Sequence, residues 1–117
     1  MVGPAAAGGF PRGAAERGEG GMTAEEVPRA LSTALDAGRV EVTRHFWDEL
    51  RADAFALVDV RSAIESIIGV RDVGTDRGGH PKFEVTGTAI DRRRLSMVCS
   101  YKEESDAFLL ITVYEAE

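Results

Sequence analysis

Cysteine is nearly missing from this chain: Cys99 stands alone among 117 residues. A single thiol excludes an internal disulfide and any multi-cysteine metal site. Histidine is almost as scarce, with only His45 and His80. A metal centre would therefore have to rest on carboxylates, and none is expected. No apolar run approaches the roughly 20 residues of a membrane helix, so no membrane association is expected. Basic excess is lacking too. The formal net charge of −6 argues against a broad nucleic-acid footprint and leaves room only for a local one. A phosphate-cradling glycine loop, a dinucleotide fingerprint and a His-Glu-x-x-His helix are all absent, so no cofactor is expected.

What is present divides at Met22. Residues 1–22 hold seven of the glycines, Pro4 and Pro11, and no apolar period, the composition of a disordered leader. They also lack a secretory signal pattern, which places the expected product in the cytoplasm. Two origins of this segment stay open: a flexible leader, or upstream sequence ahead of a true start at Met22. The codons for Glu19-Gly20-Gly21 can spell a purine-rich ribosome-binding sequence.

From residue 23 to 117 the pattern is that of one soluble α+β domain. Thr23 and Glu26 form a capping-box pair ahead of a stripe of Val27, Leu31, Ala34 and Leu35 that Gly38 ends. Pro28 either kinks the first turn or opens the regular helix. Residues 39–42 read as a short link or edge strand. Thr43 caps a second helix, from Arg44 to about Ala54, with Phe46, Trp47 and Leu50 inward. A third helix is expected from Leu57 to Ile68, with Val60, Ile64, Ile67 and Ile68 in the core and Gly69 as a left-handed cap. A short strand over 71–74 follows.

Lys82 to Tyr114 then reads as three antiparallel strands. Period-two alternation places Leu95, Met97 and Cys99 on one side and Arg94, Ser96, Val98 and Ser100 on the other. Phe108 to Tyr114 is almost wholly apolar, which suits a strand covered on both faces. The expected architecture is two to three helices on one face of a three- to five-stranded, mainly antiparallel sheet.

Few residues carry chemistry. His45 sits in a first helical turn, where the free N–H groups disfavour its protonated form, as suits a neutral base; the bland alternative is a structural first-turn residue. Asp76 to Pro81 forms a turn with Arg77 and His80 as two cations beside it. Lys82 opens one strand and Tyr114 closes another, and they meet only if the register brings those strand ends together. Arg92-Arg93-Arg94 lies at a hairpin tip, as a solvated turn or an anion contact.

Together, Thr-Arg-His-Phe at a helix start, Asp59-Val60 opening the next helix, Gly-His-Pro-Lys-Phe leading a strand, Gly87, and the terminal Leu-Ile-Thr-Val-Tyr resemble domain of unknown function 4258. The likeness spans about Arg39 to Glu115. That small bacterial family resembles RelE-type toxins, small ribonucleases with helices on an antiparallel sheet. The resemblance implies a metal-independent endoribonuclease with an RNA substrate and an antitoxin protein as partner. It also implies His45, Lys82 and Tyr114 as catalytic residues and Arg77, His80 and Arg94 as substrate ligands. The chain departs from the family at Glu49 and Asp53, where arginines are common. That departure keeps a second reading in play, a non-catalytic protein-interaction module on the same fold.

Overall fold

A computed structural model describes residues 21–117. The expected leader lies outside these residues except for Gly21 and Met22. The elements run α1 (Val27–Asp36), β1 (Val40–Val42), α2 (Arg44–Ala52), α3 (Leu57–Glu65), β2 (Gly69–Thr75), β3 (Pro81–Thr88), β4 (Arg94–Lys102) and β5 (Ala107–Ala116). The five strands form one sheet in the order β1-β5-β4-β3-β2. Every neighbouring pair is antiparallel except β1 with β5. This is the α+β architecture expected.

Alternation explains how the sheet meets the helices. Phe83 and Val85 of β3, Leu95, Met97, Cys99 and Tyr101 of β4, and Phe108, Leu110 and Val113 of β5 all point to one face and are buried. On that face they join Val27, Leu31, Phe46, Leu50, Val60 and Ile64 from the helices in one core. Burying each large side chain contributes about 1.5–3 kcal/mol. Cys99 belongs to this core, and burial pushes its thiol up to about 12. The approach of α3 is closest at Gly87, where a Cβ would lie 2.0 Å from the Ala63 carbonyl oxygen. Only glycine fits there.

Local signals act as expected at several termini. Thr43 Oγ1 accepts from the Phe46 amide at 3.1 Å and caps α2. Of the Thr23–Glu26 box only half forms. Glu26 accepts from the Thr23 amide at 2.9 Å, but the Thr23 hydroxyl donates to the same carboxylate instead of capping the Glu26 amide, and the regular helix starts at Val27, beside Pro28. Gly38 follows α1 with φ 76°.

Other expectations are corrected. Trp47 is not inward but 37% exposed. The buried stripe of α2 is narrow, Phe46 and Leu50, and the next residue after Phe46 turns about 100° away from it. The third helix stops at Glu65, not Ile68. There the Ser66 hydroxyl donates to the Ser62 carbonyl and accepts from the Thr88 amide, so the chain is drawn onto β3. Ile68 is consequently extended and exposed, and Gly69 begins β2 opposite Thr86 instead of capping a helix. Finally, β5 is not covered on both faces. Leu109 and Ile111 are half-buried on the side away from the core.

Among the described residues no strand lies beside the outer edge of β5 past Leu110, because β1 pairs only with Phe108–Leu110. Side chains of α2 and its cap take over. Thr43 Oγ1 donates to the Ile111 carbonyl at 3.2 Å, Glu49 accepts from the Val113 amide at 3.1 Å, and Asp53 accepts from the Glu115 amide at 2.9 Å. Glu49 and Asp53 thus complete a sheet edge.

Candidate active site

The register arranges the other face of the sheet in rows. Lys82 lies in line with Ser100 and Leu109, Glu84 with Val98 and Thr112, Thr86 with Ser96 and Tyr114, and Thr88 with Arg94 and Ala116. Successive rows are about 7 Å apart, so Lys82 and the Arg94 row are separated by about 20 Å. Among the described residues no helix packs on this face. Four cations, Arg71, Lys82, Arg94 and Lys102, share its side-chain parity with two carboxylates, Glu41 and Glu84. On a chain of net charge −6 this face is the relatively basic one.

At its centre three side chains meet. Arg71 on β2 donates to Glu84 Oε1 at 2.6 Å. The Tyr114 hydroxyl, coming from β5, donates to Glu84 Oε2. Tyr114 reaches Glu84 diagonally across β4 because the residue beneath it is the small Ser96, itself paired with Thr86 at 2.7 Å. The Tyr114 bond and the Arg71 guanidinium hold the Glu84 carboxyl below the usual range. The same carboxylate pushes the Tyr114 hydroxyl up, so it keeps its proton. One further hydroxyl, Ser100 Oγ, is buried without a partner among the described residues.

The six residues expected from the sequence do not form one rim. Lys82 and Tyr114 do share this face, two rows apart, and Arg94 stands one row beyond Tyr114. His45 is exposed on α2, with Nε2 3.2 Å from Glu49 Oε1. Glu49 also holds the Val113 amide, so His45 stands beside the outer edge of β5. Arg77 is exposed on the β2–β3 turn, past the Lys82 end.

His80, on the same turn, lies between Asp76 and Glu104. Of the arginine run, Arg93 is engaged structurally. It donates to the Asp53 and Ala54 carbonyls at 2.9 Å each, pairs with Asp91 at 2.8 Å and lies 4.0 Å over the Phe55 ring. Arg92 takes φ 75° in the turn.

Glu84 and Arg71 were not singled out in the sequence. Glu84 was visible as the acid between Lys82 and Thr86 on the polar side of its strand. Its partners required the register of β2 and β5, which no local pattern sets. Among the described residues no cluster of three or more His, Cys, Asp or Glu side chains could hold a metal ion, and no helix is long and apolar enough to cross a membrane. Compared with known protein families, curated proteins and solved structures, the chain matches none.

Proposed function

We propose that the chain is a toxin-like endoribonuclease of a toxin–antitoxin pair, akin to the RelE type, which cuts RNA without a metal. The observation supporting this reading is the Tyr114–Glu84–Arg71 cluster, set between Lys82 and Arg94 on the helix-free face. Arg71, Lys82 and Arg94 offer charge to a phosphodiester, with Arg77 at the far end. An entering phosphate competes with Glu84 for Arg71 and Tyr114, so Glu84 acts as a positioning residue that keeps both aimed until substrate arrives. In the reaction the 2′ oxygen bonds to phosphorus while the bond to the 5′ oxygen breaks. His45, at the β5 edge, takes the 2′ proton, and Tyr114 gives its own to the leaving oxygen.

A protein-interaction module is the second reading, favoured by the outer edge of β2, which no other strand among the described residues pairs. There the exposed Ile68 borders a hollow of about 300 Å³ shared with Ala24, Pro28, Ile67 and Val70. An antitoxin-type partner could add a strand at that edge.

Expression of the chain in a bacterial host, beside Tyr114→Phe, His45→Ala and Lys82→Ala, separates the two. Growth arrest with RNA cleavage, lost in the variants at equal soluble levels, is the expected result. Normal growth and intact RNA with folded wild-type protein would overturn it and favour the interaction module.

A further inference from the structure

We infer that His80 is a pH-sensitive latch that ties the β2–β3 turn to the β4–β5 turn when its ring carries both protons. The argument is stereochemical. His80 Nδ1 lies 3.2 Å from both oxygens of Asp76, and Nε2 lies 3.1 Å from Glu104 Oε2. An ionised carboxylate only accepts, and a neutral imidazole has a single N–H to give. Both contacts together require the imidazolium.

The two contacts are not equivalent. Asp76 is already held by its own turn, accepting from the Gly78 and His80 amides at 2.9 Å each. The ring adds little to that turn. Its contact with Glu104 joins two hairpins, 24 residues apart in the chain. Asp76 is only 24% exposed and fixed beside Nδ1 by its turn, whereas the Glu104 side chain is 67% exposed and free to swing into water. On deprotonation the remaining N–H therefore turns to Asp76, and the bare Nε2 lone pair faces the Glu104 carboxylate. The Glu104 contact is the one that opens.

The other charged groups at this end are Arg77 on the first turn, Glu103 and Asp106 on the second, and Lys82 and Lys102 on the strands. Asp106 is engaged elsewhere, by Arg39 and by the Tyr101 hydroxyl. The bond to Glu104 first, then that to Asp76, raises the ring above the ordinary imidazole range. The latch is therefore closed below the ordinary histidine value of about 6.5 and opens only as pH rises through the raised one. This inference is independent of ribonuclease activity.

An NMR pH titration of the full chain tests it, comparing wild type with Glu104→Gln, which keeps the side-chain shape and removes the charge. In wild type, the His80 ring should titrate above the ordinary value, and the amides of residues 103–106 should move with the same midpoint. Glu104→Gln should shift that midpoint downward and abolish the linked movement. A His80 midpoint that Glu104→Gln leaves in place, or 103–106 amides that ignore the His80 titration, would sink the latch.

Discussion

The two faces of the sheet are made by alternate residues of the same strands, yet they are built on different terms. Facing the helices, Phe83, Val85, Leu95, Met97 and Cys99 are wholly buried. Facing away, Lys82, Glu84, Thr86, Arg94 and Tyr114 are polar and form pairs among themselves or meet solvent. One face holds the fold together by area removed from water. The other can hold an ion pair, a protonated tyrosine and several cations because little stability rests on it.

Neighbouring substitutions on β3 should break this contrast most sharply. Phe83→Ala should cost about 3–5 kcal/mol through lost transfer energy and a cavity, whereas Lys82→Ala should stay within about 0.5 kcal/mol. Denaturant melts of the two variants measure both, and similar losses would mean that the faces are not distinct. A smaller effect is expected at Gly87, where an added methyl meets the α3 backbone. Gly87→Ala should cost roughly 1–3 kcal/mol, read in the same melts, with Ala63 and Thr88 showing the largest amide shifts. Smallest of all is Ser100→Ala, which removes a buried hydroxyl that has no partner among the described residues. It should be neutral or slightly stabilising, within about 0.5 kcal/mol. A clear loss would reveal a hydrogen bond made by the Ser100 hydroxyl.

The inward face was legible in the sequence because alternation is local: Leu95, Met97 and Cys99 alternate with Arg94, Ser96 and Val98 without reference to the rest of the chain. The helix caps at Thr43 and Gly38 were legible for the same reason. Trp47 was misplaced because hydrophobicity does not say how wide a buried stripe is, and Ile68 because a serine bonded to β3 ended α3 early. The candidate site was half visible. Tyr114 and Lys82 stood out by type, while Glu84 and Arg71 acquire their partners only through the pairing of β2, β3, β4 and β5. Glu49 and Asp53 are plain acids on a helix in one dimension, and in three they are acceptors for strand amides.

Those two carboxylates make α2 a surrogate for a sixth strand. A chain that had formed its sheet before α2 docked would present the amides of Val113 and Glu115 to any neighbour able to accept them, including another copy of β5. Docking of α2 therefore does two jobs in one step: it seals the core with Phe46 and Leu50, and it removes a template for growth into fibres. Loss of α2 contacts should show up first as self-association, before any loss of secondary structure.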